Sequence, residues 1–162
     1  MRLSTIYISH APSLAWQLED RMIDTNMAPY GALLLRITLG VALIAHGLMK
    51  VFVFTMPGTV GYFESIGYPG FVAYLVIAGE VGLGTLLALG VQTRMVALAA
   101  VPILLGATYQ HLGNGWVFSA EGGGWEYPAF WTLALFVQAL LGPGAFALPV
   151  SRADQPSHSA VA

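Results

Sequence analysis

Four long apolar stretches constrain the fold of this chain more than any other feature of its sequence. They cover residues 30–54, 71–90, 94–111 and 127–148. A helix needs about 20 mostly apolar residues to cross ~30 Å of hydrocarbon. A segment inside lipid must also satisfy its own backbone hydrogen bonds, which favours helices over isolated strands. The pattern therefore predicts an all-α fold, a bundle of four transmembrane helices.

The composition supports a membrane location. Charged residues make up 9% of the chain and hydrophobic residues 57%, whereas about a quarter of the residues in a typical soluble domain are charged. A very hydrophobic soluble helical domain is the alternative, but no stretch has a polar face wide enough to meet water. The net charge of -2 argues against binding to nucleic acid. Because the chain has no cysteine, it can form neither a disulfide nor a thiolate metal site.

The distribution of basic residues predicts the orientation in the membrane. Basic residues lie in both tails and at the turn between the second and third stretches: Arg2, Arg21, Arg94 and Arg152. The loops 55–70 and 112–126 contain glutamates and no Lys or Arg. The positive-inside rule then predicts a multi-pass membrane protein with both termini cytoplasmic and both acidic loops outside. Lys50, near the outer end of the first stretch, is the exception.

The segments outside the four stretches have separate predictions. Residues 1–29 are expected to be a cytoplasmic or interfacial tail, in which residues 12–24 form a short amphipathic helix or a frayed segment. Residues 149–162 are expected to be a disordered tail. Residues 55–69 are expected to form a short helix in the membrane interface. The loop 112–126, rich in Gly and Trp, is expected to cap the outer mouth of the bundle.

Charged side chains at membrane depth are costly and need a partner or a wet cavity. Arg36, His46 and Lys50 fall on broadly the same side of the first stretch, and Glu80 lies near the middle of the second. We predict that Glu80 pairs with Arg36 or His46, although the sequence does not choose between them. Structural alternatives remain open, since Arg36 and Lys50 can be anchors at the two membrane interfaces and His46 a hydrogen-bonded core residue.

A second polar group is expected at the outer level of Lys50. Tyr109, Gln110 and His111 close the third stretch, and Glu121, Glu126 and Trp125 follow in or beside the Gly/Trp-rich loop. These residues are predicted to line an outward-facing pocket, with an interfacial position of His111 as the alternative. A metal site formed by His46, Glu80 and His111 is not predicted, because the three positions differ too much in depth.

Small residues and one proline indicate how the helices pack. Gly40 and Gly47 lie two turns apart on the first stretch, and Gly84 and Ala88 form a small-xxx-small pair on the second. Such pairs let helix backbones approach closely. Pro102, inside the third stretch, removes a backbone hydrogen bond and predicts a kink.

The order and spacing of several short motifs resemble the DoxX family of integral membrane proteins. The motifs are Arg36-Ile-Thr-Leu-Gly40, His46-Gly47, Lys50, Ala78-Gly79-Glu80, Gly82, Leu89-Gly90, Thr93-Arg94 and Gly142-Pro143-Gly144. The resemblance covers residues 30–148 and implies a four-helix inner-membrane protein, related to the DoxD-type membrane subunits of thiosulfate:quinone oxidoreductases. It also implies that Arg36, His46, Lys50 and Glu80 form the polar core.

Three functions follow as hypotheses. The first is a quinone-interacting subunit of a sulfur-linked or oxidative-stress-linked redox system, with quinone as cofactor. In it Glu80, His46 and Lys50 are the catalytic candidates, and the cofactor-binding candidates are Arg36, His46, Gln110, His111 and Trp125. The second is a non-catalytic anchor or assembly subunit for a membrane or periplasmic protein. The third is a small-solute permease, which four short spans could form only as a homo-oligomer. The absence of cysteine weakens any direct sulfur chemistry.

Overall fold

A computed structural model describes residues 24–148 of the chain. This range contains five α-helices and no strand, so the predicted all-α class is confirmed for it. The helices are α1 (Ala28–Phe52), α2 (Met56–Ser65), α3 (Phe71–Leu89), α4 (Thr93–His111) and α5 (Glu126–Leu141), with a 3-10 turn at Leu112–Asn114. The predictions for residues 12–23 and 149–162 lie outside the described residues.

Three helical segments of the described range are long and apolar enough to cross a membrane: Ala28–Phe52, Phe71–Leu89 and Thr93–Asn114. The predicted fourth span is shorter than expected, because α5 has 16 residues and measures about 24 Å. The helix ends at Gly142, whose φ of 85° leaves the helical region, and Pro143 follows. Four full-length spans are therefore not confirmed.

The pairing of α1 with α3 depends on glycines at their crossing. A Cβ atom added to Gly40 would lie 2.7 Å from the carbonyl oxygen of Gly84, and one added to Gly84 would lie 2.8 Å from that of Gly40. A Cβ at Gly47 would lie 3.2 Å from the Cβ of Glu80. These distances leave no room for side chains, so the two backbones are in direct contact, as the small-residue pattern predicts.

The hydrophobic core lies where these two helices meet α4 and α5. Its fully buried members come from all four helices: Leu43, Leu87, Ala97, Ala100 and Leu135. Elsewhere large apolar side chains such as Leu34, Leu75 and Leu140 face outward. A helix that is apolar on both its buried and its exposed faces is typical of a membrane protein.

Two arginines hold the end of the fold where α3 turns into α4. Arg36 is 1% exposed, and it donates hydrogen bonds to the carbonyl oxygens of Pro143 (2.9 Å) and Ala145 (3.3 Å). Arg94 donates to the carbonyl oxygens of Ala139 and Leu140, which are among the acceptors that the last turn of a helix leaves unpaired. These hydrogen bonds hold the segment after α5 beside α1 and α3. We call this the arginine end.

The opposite end of the bundle carries α2 and the loop 112–125, and we call it the loop end. The Thr59 hydroxyl of α2 donates to the carbonyl oxygen of Lys50 (2.7 Å), which ties α2 to the last turn of α1. The loop folds back on itself, because the amides of Trp125 and Glu126 donate to the carbonyl oxygens of Gly115 and Trp116. The helix predicted within residues 55–69 is present as α2.

We expect Gly84→Leu to destabilise the protein by at least about 2 kcal/mol, because the added side chain would overlap the α1 backbone. Thermal unfolding of the purified protein in detergent measures the effect. Gly82→Leu on the same helix is the matched control, since no atom lies within 4 Å of a Cβ added there. Equal stability of the two variants would show that α1 and α3 do not cross at Gly84.

Candidate functional site

A cavity of about 880 Å³ lies at the loop end, between all five helices. Its wall is mainly apolar and aromatic; α2 contributes Tyr62 and Phe63 to it, and Ile66 follows directly after the helix. The polar side chains on the wall come from α1, α2, α3, α4 and α5: His46, Lys50, Thr59, Glu80, Gln110, His111 and Tyr127. An apolar cavity with a few convergent polar groups is the usual form of a small-molecule site.

The strongest polar feature of the cavity is an ion pair between α1 and α3. The Lys50 ammonium donates to both carboxylate oxygens of Glu80, at 2.7 Å each. The side chains are 20% and 8% exposed respectively, so the pair is largely removed from solvent. Each charge compensates the other, which lets two ionised groups remain in an apolar wall.

This pairing corrects the prediction that Glu80 contacts Arg36 or His46. Arg36 lies almost four turns before Lys50 on α1, about 21 Å along the axis, and its guanidinium is engaged at the arginine end. Gly47 presents no side chain to Glu80, so the carboxylate packs against α1 where the long Lys50 side chain can reach it. The sequence shows the charges but not the relative height of the two helices.

His46 stands on the same wall, one turn before Lys50. Its Nδ1 lies 2.9 Å from the carbonyl oxygen of Ala42. Since a carbonyl only accepts, Nδ1 carries a hydrogen, and Nε2 of the neutral ring is left as an acceptor. Two aromatic rings of α5 orient the imidazole, Tyr127 stacked at 6.2 Å and Trp131 edge-on at 4.8 Å between ring centroids.

The two aromatic partners of His46 were not predicted from the sequence. Tyr127 and Trp131 lie four residues apart on α5 and therefore share one face. That spacing is visible in the sequence, but nothing in it shows that their face meets His46. The contribution of α2 to the cavity wall was also not predicted, because a helix of only ten residues has no periodicity that identifies the helix against which it packs.

Gln110 and His111 line the cavity, whereas Tyr109, Glu121 and Glu126, which were expected in the same pocket, do not. His111 also supports the loop, because its Nδ1 lies 2.9 Å from the carbonyl oxygen of Gly123, to which the Asn114 amide donates as well.

The remaining two predicted cofactor-binding residues do not line the cavity. Arg36 is bound at the arginine end, and the Trp125 ring packs edge-on against Trp116 at 4.4 Å.

The family can be assigned from the residues that build this site. A sequence profile of the DoxX family matches residues 31–113, just over half of the chain. This chain belongs to the DoxX family. The match includes α1, α2, α3 and α4, and with them His46, Lys50 and Glu80. With three apolar helices long enough to span a bilayer, this DoxX protein is a membrane protein.

One curated relative comes from Bacillus subtilis (strain 168) and is named "Putative oxidoreductase CatD". This DoxX protein is 42% identical to it over 77 residues, which cover 48% of the chain and 56% of the relative. The chain therefore spans little more than half the length of this relative. No solved structure matches the chain.

We expect the loss of one partner of the ion pair to cost more stability than the loss of both. Lys50→Met leaves an uncompensated carboxylate in the apolar wall and should destabilise the protein by about 3 kcal/mol. The double variant Lys50→Met/Glu80→Leu buries no charge and should recover at least half of that loss. Unfolding in detergent measures each variant. Additive losses in the double variant would show that the two charges do not interact.

Proposed function

We propose that this DoxX protein is a quinone-interacting membrane subunit of an oxidoreductase system in the bacterial inner membrane. The observation that carries the proposal is the apolar cavity with an ion pair and a histidine on one wall. A quinone head group is a flat ring with a carbonyl on either side. It requires an apolar slot and polar hydrogen atoms near those oxygens. The name of the Bacillus relative points to the same class of chemistry.

The residues of the cavity fit such a head group. The aromatic side chains Tyr127 and Trp131 provide flat apolar surface beside His46. Lys50 is an N–H donor, and the His46 ring can accept a proton at Nε2 and return it. Gln110 and His111 add polar atoms on the α4 side.

A quinone, when bound, supplies the electron-accepting chemistry; the chain has no cysteine and therefore no thiol redox chemistry of its own. The protein's own residues would hold the ring, exclude water and handle protons. Glu80 can take up a proton when the Lys50 contact loosens, and His46 can exchange one with the bound head group at Nε2. The electron donor would then be a partner protein or a soluble reductant.

The orientation that suits this role places the arginine end in the cytoplasm and the loop end outside. Arg36 and Arg94 hold the arginine end, and the loop end carries Glu64, Glu121 and Glu126 without a basic residue in its two loops. The positive-inside rule favours this direction. In this orientation α5, which is short, would cross the membrane together with the residues that flank it.

We expect native mass spectrometry of the gently solubilised protein to show a bound mass equal to that of a quinone. His46→Phe keeps an aromatic ring against Tyr127 and Trp131 but removes both ring nitrogens. It should weaken quinone binding by about tenfold, the equivalent of one good hydrogen bond. Glu80→Gln, which keeps the side-chain shape, should abolish quinone turnover while the protein stays folded.

Tyr109→Phe is the control, because Tyr109 is on α4 but outside the cavity and is 68% exposed. It should leave binding unchanged. Wild-type turnover in Glu80→Gln would contradict the proposal. A second polypeptide without any bound small molecule would instead favour the anchoring role.

A further inference from the structure

We propose that the cavity opens sideways into the lipid between α3 and α4, and that its ligand is a long-tailed lipid quinone whose tail lies in this opening. This inference rests on the proposed function, and it adds the class of quinone and its route. We call the opening the lateral portal. Its rim consists of Val72 and Val76 on α3 and Pro102 and Gly106 on α4.

The first observation concerns α4. Pro102, Gly106 and Gln110 are spaced one turn apart, so they form a single stripe along the helix, and all three line the cavity. Pro102 and Gly106 are at the same time exposed on the surface of the bundle. The cavity reaches the surface at the loop end, where Tyr62 both borders it and is exposed, and by the same criterion it reaches the surface again at Pro102 and Gly106. Pro102 and Gly106 lie within Thr93–Asn114, a membrane-spanning candidate, so that surface faces lipid.

The second observation concerns the distance between α3 and α4. The helices touch where a Cβ added to Gly79 would lie 2.8 Å from the Cδ1 atom of Ile103. One turn closer to the loop end, no atom lies within 4 Å of a Cβ added to Gly106. Val72 and Val76 on the α3 side are only half-buried although they line the cavity. The two helices therefore leave a gap at this level.

The chemistry of the rim determines what can pass. All four rim residues are apolar, and the charges of the cavity stand deeper, on Lys50 and Glu80. A ligand that passes this rim must be soluble in the bilayer and must carry its polar group inward. An isoprenoid tail is flexible and apolar, so it can remain in the portal among the acyl chains while the head group reaches His46. A small water-soluble quinone has no need of this route.

The experiment compares two quinones that share one head group and differ in tail, one long isoprenoid and one short. Binding is measured by quenching of tryptophan fluorescence with the full chain in lipid nanodiscs, since Trp131 lines the cavity. Gly106→Leu places a branched side chain in the portal, and the open space around Gly106 lets the variant fold. Gly82→Leu is the matched control, because a Cβ at Gly82 also meets no atom and Gly82 lies outside the cavity.

We expect Gly106→Leu to weaken binding of the long-tailed quinone at least about tenfold and binding of the short-tailed one by less than about twofold. Gly82→Leu should change neither. If Gly106→Leu leaves long-tailed binding unchanged, or weakens both quinones equally, the lateral portal is wrong while the proposed function stands. If the wild-type protein binds neither quinone, the proposed function fails, and the portal fails with it.

Discussion

The contact between α1 and α3 is the constraint on which the rest of this structure depends. Gly40 and Gly84 bring the two backbones together, and Gly47 lets Glu80 lie against α1. Dispersion forces and close packing drive such contacts inside lipid, where the hydrophobic effect between helices is absent. The crossing fixes the height of one helix relative to the other. It thereby places the Lys50 ammonium 2.7 Å from both carboxylate oxygens of Glu80.

The protein separates the charged side chains of its helices into two groups with different roles. At the arginine end, guanidinium groups donate to backbone carbonyls of the segment that ends α5 and follows it. At the loop end, Lys50 and Glu80 form part of a cavity wall, where a ligand can compete for their hydrogen bonds. Charges that stabilise the fold are thus kept apart from charges that can take part in chemistry.

Much of the fold could be predicted from the sequence, because apolar stretches and turn residues are local signals. The bounds of α1, α3 and α4 follow the predicted stretches within a few residues. The predicted end of α5 was too late, because the apolar residues up to Leu148 were counted into the span although Gly142 and Pro143 are local signals that end a helix. The segment that follows α5 is held by Arg36, which donates a hydrogen bond to the carbonyl oxygen of Pro143, 107 positions later in the chain.

The site could be predicted only in part, for a related reason. The types of residue that line the cavity follow from the rule that polar groups at membrane depth need a partner or a wet space. Which of them meet depends on the relative rotation and height of the helices. The sequence therefore indicated His46, Lys50, Glu80, Gln110 and His111 but not the Lys50–Glu80 pair. Trp125, expected at the same pocket, packs within its own loop.

The most direct test of the central claim is photoaffinity labelling of the protein in native membranes with an azido-quinone, followed by peptide mass spectrometry. The account predicts labels on α1 near His46 and Lys50 and on α5 near Tyr127 and Trp131, and predicts that an excess of unmodified quinone suppresses them. Labels confined to outward-facing residues such as Leu34 or Leu140, unaffected by competing quinone, would contradict it.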